Sequence, residues 1–232
     1  MLVFVSDLDV VAPGVDPSCV ARVRSAAKLG IERVEAFLGT PFAKPFRIVI
    51  ARDRATFDAE LAARWKLPPT EKWMVGAGGA DALVVLSPDR WKAEAVEHDG
   101  NSKRELEEIV AHELSHVYHA QRCPKPDFDG MDDMGWFIEG LAVVVSGQLE
   151  SAHRTAAKRA KEADKLPTKL ADCWSGPFRY GVSGSLVRYV EAWKGKATIV
   201  RLLSATSNAE AMAILGITED ALLRDWAGSI GP

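Results

Sequence analysis

Residues 134–149 carry a single charged side chain, Glu139, and are otherwise apolar or small almost all the way round. That pattern belongs to a helix buried on every face, not to one lying at a surface. A chain holding such a helix must surround it, and 232 residues are enough for the core this demands. The lone carboxylate is then the anomaly. An ionised glutamate in apolar surroundings is costly unless it is paired with an arginine, seated at a helix N-terminus or bound to a cation.

A cation site is available upstream. His112-Glu113-Leu114-Ser115-His116 is an H-E-x-x-H motif. On a helix, positions four apart sit one above the other, so His112 and His116 can reach one metal ion. Glu113 lies about 100° round from His112, near the metal but aimed at whatever fills an open coordination position. The chemistry implied is zinc-assisted hydrolysis, with two imidazole ligands and a carboxylate that takes a proton from zinc-activated water. The surrounding segment reads as a helix. Ser102 and Glu105 fit a capping box, Glu105 reaching back to a free amide. Leu106, Ile109, Val110, Leu114 and Val117 recur at helical spacing, and Pro124 and Pro126 forbid continuation.

Two imidazoles and one carboxylate form a catalytic zinc ligand set that leaves a position for water. Glu139 is the expected third ligand. His119 competes, but it stands seven residues from His112, about 10 Å along the helix axis and too far to share a metal comfortably.

At these residues the chain resembles the gluzincin metallopeptidases, most closely the bacterial peptidase MA-like domains. The matching stretches are His112 to His116 and Trp136-Phe137-Ile138-Glu139-Gly140-Leu141-Ala142, which follows the family's tryptophan–x–x–glutamate–glycine–x–alanine signature. The resemblance implies a zincin-like α+β fold, one Zn2+ held by His112, His116 and Glu139, and Glu113 as general base. The stretch beginning at Tyr180 looks like the family's tyrosine-led helix, and residues 208–226 look like its closing helix pair. The likeness runs from about residue 46 onward, with only the two zinc motifs specific. The glycine–x–methionine–glutamate–asparagine loop of gluzincin aminopeptidases is replaced by Gly76-Ala77-Gly78-Gly79-Ala80, without an acidic anchor. Aminopeptidase specificity is therefore not implied. The aspartate expected four residues after the glutamate ligand, which would hold a ligand imidazole in place, falls on Val143, so another group, with Asp132 and Asp133 as candidates, must orient the imidazoles.

The expected architecture is a single zincin-like domain over residues 1–232 with lobes of about 1–122 and 123–232. It has an N-terminal mixed α/β lobe with a small sheet, a central zinc-binding helix and a helical C-terminal lobe. Strands are expected at 2–5 and 46–50, and helices from Pro17 to about Leu38 and from Asp53 through Trp65. A hairpin is expected with strands at 73–76 and 82–86 and the glycine cluster as its turn. The second of these strands is the candidate edge strand that, in gluzincins, pairs with extended substrate. Beyond Gly135 the chain reads as helices over 135–163, 178–194, 197–204, 207–215 and 219–229.

Twenty-nine basic against 32 acidic residues, net charge −3, and no polybasic block argue against nucleic acid or an anionic membrane as partner. Three scattered cysteines, Cys19, Cys123 and Cys173, lack C-x-x-C spacing and read as thiols, not as a disulfide framework. No basic leader followed by an apolar run and no long apolar segment is seen. A cytoplasmic location is the default expectation, with export of a longer precursor left open. The expected activity is zinc-dependent peptide hydrolysis of a peptide or protein substrate. Glu113 serves as general base, and Tyr180, with His153 behind it, as neutral donor to the oxyanion. The competing reading is a non-catalytic zinc-bearing scaffold or binding module. An intact Glu113 separates the two, because a structural site needs no base and closes its fourth position. Oligomeric state is left open.

Overall fold

A computed structural model describes residues 8–231; the strand expected at 2–5 lies outside them. The protein is α+β, with eleven α-helices and one four-stranded sheet among the described residues. It divides into two compact units, 1–121 and 122–232.

The first unit opens with β1 (Asp9–Val11), α1 (Pro17–Leu38), β2 (Arg47–Ala51) and α2 (Arg54–Trp65). It continues with β3 (Gly76–Gly79), β4 (Ala82–Leu86), the short α3 (Trp91–Glu94) and α4 (Lys103–Ala120). Helix α1 starts where proline tolerates a missing amide and stops at Gly39, which takes the left-handed conformation at φ 82°. Asp53 caps α2, accepting from Thr56 N at 2.8 Å. The sheet order is β1-β2-β4-β3, with β1, β2 and β4 parallel and β3 antiparallel to β4. Every residue of β4 is buried. That is the near-continuous apolar run of a strand covered on both faces. Strand β4 is therefore not an edge strand, because β2 and β3 occupy its two sides. The edge belongs to β3. The glycine cluster expected as the hairpin turn is that strand, and the turn is Ala80-Asp81.

In the second unit, α5 (Gly135–Ser146), α6 (Gln148–Ser151) and α7 (Ala156–Glu162) stand where one helix over 135–163 was expected. Gly147, at φ 88°, ends α5 in a left-handed cap, and the chain breaks again at 152–155. Then follow α8 (Arg179–Lys194), α9 (Lys196–Leu202), α10 (Asn208–Leu215) and α11 (Glu219–Ser229). Helices α5 and α8 pack closely through glycine. A Cβ on Gly140 would lie 2.5 Å from Ser183 O, and one on Gly184 would lie 2.7 Å from Val143 Cγ1. Trp136, fully buried in α5, donates from its indole nitrogen to Asn208 Oδ1 at 2.8 Å. Buried Trp226 does the same to Ser185 Oγ at 3.1 Å. Among the described residues no helix is long and apolar enough to cross a membrane.

Candidate metal centre

Helix α4 carries the H-E-x-x-H residues, and its start follows local chemistry. Ser102 Oγ accepts from Glu105 N at 3.3 Å. Glu105 does not return the bond to Ser102, as a capping box would. The Ser102 amide already donates to Asp99 O in a tight turn. The carboxylate instead accepts from Asp99 N at 3.2 Å and meets His98 Nδ1 at 2.8 Å.

Two opposite faces of α4 are covered within its own unit. On one, Gly30 of α1 sits so close that a Cβ there would lie 2.7 Å from Leu114 Cδ1 and 3.2 Å from Ala111 Cα. Roughly 160° round the helix, β3 covers Glu113 and His116. A Cβ on Gly76 would lie 2.6 Å from Glu113 Cγ, and one on Gly78 would lie 2.1 Å from Glu113 O and 3.1 Å from His116 Cβ. Gly76 and Gly78 are two apart and share a strand face; a Cβ on Gly78 would meet the backbone of α4, and one on Gly76 the movable side chain of Glu113. Gly79 points the other way, onto the Trp65 ring.

The segment is pinned to α4 at both ends. Near its start, His98 Nε2 donates to Trp73 O at 2.8 Å while Nδ1 meets Glu105 in the first turn of α4. Arg54 holds the neighbouring carbonyls, Lys72 O at 3.1 Å and Met74 O at 2.6 Å. At the far end Gln121, which caps α4, donates to Ala80 O at 3.0 Å. Between these two anchors β3 sets Gly76 and Gly78 opposite Glu113 and His116. The glycine spacing was visible in the sequence, but it read equally well as a turn; Arg54 and His98 carried no signal there.

His112 and His116 are buried, at 6% and 8% exposure, with ring centroids 4.8 Å apart. Glu139 is half-buried in α5. One ligand atom from each of His112, His116 and Glu139 lies within 4.8 Å of the other two, a group able to hold a metal ion. It is the only such group of three or more His, Cys, Asp or Glu side chains among the described residues, and His119 is not part of it.

Tyr180 lies in the first turn of α8 and stacks on His153, with centroids 5.2 Å apart and planes 10° from parallel. Asp133 accepts from Asn208 N at 2.9 Å at the head of α10, and Asp132 is exposed. The cysteines are free and buried. Burial pushes the Cys173 thiol well above its ordinary range and raises that of Cys123, which favours the protonated, poorly nucleophilic form. Comparison of the chain with protein-family models, with curated proteins and with solved structures gives no significant match in any of the three.

Proposed function

We propose that the protein is a zinc metallopeptidase of the gluzincin type, hydrolysing a peptide bond with Glu113 as general base. The observation that carries this reading is the convergence of His112, His116 and Glu139, with Glu113 beside them on α4. The donor set suits zinc: two imidazole nitrogens and one carboxylate oxygen, with a fourth position left for water or substrate. The donors lie within 4.8 Å of one another. Donors on one tetrahedral zinc stand roughly 3.4 Å apart, a difference that small side-chain rotations cover.

When bound, zinc supplies Lewis acidity, polarising the scissile carbonyl and lowering the pKa of water toward neutrality. The chain's own groups do the rest. Glu113 accepts the proton of the attacking water and hands it to the leaving nitrogen. Gly76, lacking a side chain, leaves the Glu113 carboxylate room. Tyr180 is the proposed neutral donor to the oxyanion, its ring held by His153 and by Trp174, which meets it at 89°. Strand β3 is the proposed substrate-pairing edge. Leu86 N donates to Val75 O. By the antiparallel alternation, Ala77 and Gly79 turn their amide groups toward β4, and Gly76 and Gly78 turn theirs to the outer edge.

The test begins with elemental mass spectrometry on protein purified without added zinc or chelator, followed by peptide-library cleavage. About one zinc per chain and cleavage of library peptides are expected. Glu113→Gln should keep the zinc and lose roughly 10²- to 10⁴-fold in turnover. Full turnover in that variant sinks the general-base role. Zinc without cleavage of any peptide favours the scaffold reading, and failure to take up zinc on titration removes both.

A further inference from the structure

Between α7 and α8 the chain has no regular structure beyond one 3-10 turn, Leu170–Asp172. Pro167 is barred from a helix interior, and Gly176 turns the chain at φ 68°. Side-chain bonds fix what secondary structure does not. Glu219 accepts from Leu170 N at 2.7 Å, and buried Ser183 donates to Cys173 O at 3.1 Å. Ser175 donates to Asp172 O at 2.6 Å. This segment and the start of α8 line a cavity of about 170 Å3. One water needs only about 10–15 Å3, whereas drug-sized pockets run to roughly 300–1,000 Å3. The space suits a small metabolite.

The lining has two characters. Buried Cys173 and Val182, with half-buried Pro167 and Phe178, supply an apolar wall. A protonated thiol belongs in such a wall as a small apolar group. Lys165 and Asp172, both exposed, bring one positive and one negative charge to the same cavity. Neither charged group is ion-paired or hydrogen-bonded to another described residue, and the two are not paired with each other. Burial, Glu219 and Asp172, in that order, raise the Cys173 thiol, so the charge of Asp172 reaches the apolar wall. Opposite charges at one apolar-walled cavity match the two ends of a zwitterion, and the wall matches its side chain.

We propose that this cavity binds a small zwitterion with an apolar side chain, a free amino acid or a dipeptide. Asp172 takes the ammonium group, Lys165 takes the carboxylate, and Cys173, Phe178 and Val182 take the side chain. Molecules of this class are what peptide hydrolysis releases, but the site does not rest on the metallopeptidase reading.

The experiment is calorimetric titration of the full chain with L-leucine, N-acetyl-L-leucine, L-leucinamide and glycine. The two capped forms lack the ammonium or the carboxylate charge, and glycine lacks the side chain. Leucine should bind at millimolar concentration or below, glycine more weakly. Each capped form should lose about three- to tenfold, as a charge-assisted bond partly open to water does. Asp172→Asn should weaken leucine and leucinamide, which carry the ammonium group, but not N-acetyl-leucine. Lys165→Met should weaken leucine and N-acetyl-leucine, but not leucinamide. That crossed pattern assigns each charge to its residue. Leucyl-glycine tells the two sources apart, since tighter binding of the dipeptide means that the site spans more than one amino acid. Both substituted positions are exposed, and melting curves control for folding. No binding at millimolar leucine overturns the site, as does equal affinity for leucine and both capped forms. A leucine affinity that survives both substitutions also overturns it, and places the ligand elsewhere, the metal centre included.

Discussion

Helices α4 and α5 both carry side chains of the group able to hold a metal ion, and they are held in opposite ways. Helix α4 is fastened by polar groups at both ends, Ser102 at its start and Gln121 at its finish. Helix α5 has no side-chain cap and ends on a left-handed glycine. The glycines around α4 belong to its neighbours, and two of them face Glu113 and His116. Those of α5 are its own, Gly135 against the Trp174 ring and Gly140 against the backbone of Ser183. Missing side chains around α4 thus leave room for the groups proposed to react. In α5 they let neighbours pack closer. One residue type makes room for the proposed chemistry in the first case and for packing in the second.

The sharpest way to break this contrast is to remove the one charge of α5. Glu139→Ala should weaken zinc binding by more than about 100-fold, an effect larger than loss of an outer-shell partner. Metal-free, the variant is melted beside the wild type as the folding control. Chelator competition measures the affinity. Undiminished affinity would move the third ligand elsewhere, with buried His119 the first alternative.

Paired glycine substitutions test the contrast next. In Gly76→Ala the new Cβ lies 2.6 Å from Glu113 Cγ, and that flexible side chain must swing aside. Displacing a base by about 1 Å can cost about 100-fold in rate, while the loss of stability stays small. In Gly140→Ala the Cβ lies 2.5 Å from Ser183 O and 2.7 Å from Ser183 C, backbone atoms that cannot rotate away. Overpacking of this kind costs about 1–3 kcal/mol, more than the gain of up to about 1 kcal/mol from replacing glycine in a helix. Gly140→Ala should therefore lower the melting temperature with zinc affinity largely kept, and Gly76→Ala should do the opposite to turnover. Equal losses of stability with no difference in turnover would erase the distinction.

Much of this was legible in the residues because local rules decided it. Pro17 and Gly39 bound α1, α2 starts at the expected Asp53, Ser102 caps α4 as expected, and His112, His116 and Glu139 converge. What was hidden depended on partners distant in the chain. The glycine cluster at 76–79 satisfies a turn as well as a strand, and only the nearness of Glu113 and Trp65 decides for the strand. Strand β4 looked like a substrate edge until β2 and β3 took both its sides. Apolar periodicity ran through Gly147 without registering that its φ of 88° ends a helix. Glu105 was expected to serve its own cap, but a turn at Asp99 had already used that amide.

The smallest effect concerns the capped kind of helix, with α2 as the accessible case. Asp53 Oδ1 accepts from the Thr56 hydroxyl at 2.7 Å and from Thr56 N at 2.8 Å. These bonds hold its carboxyl below the ordinary value of 3.8, with the Thr56 hydroxyl as the largest cause. A carboxyl depressed in the folded state favours folding fully above its unfolded value, and the contribution fades as pH falls through the depressed folded value. Metal-free Asp53→Ala should therefore melt lower than the wild type near pH 7. The gap should begin to close below about pH 4, leaving only what a protonated carboxyl still provides as a cap. Asp53→Asn keeps an accepting oxygen without the titration, so its gap from the wild type should also narrow in acid while its gap from Asp53→Ala stays level. A wild-type-to-Ala gap unchanged down to pH 2 would mean that the charge of Asp53 adds nothing to the cap. The polar fastening of α2 would then be steric and dipolar, no different in kind from the uncapped packing of α5.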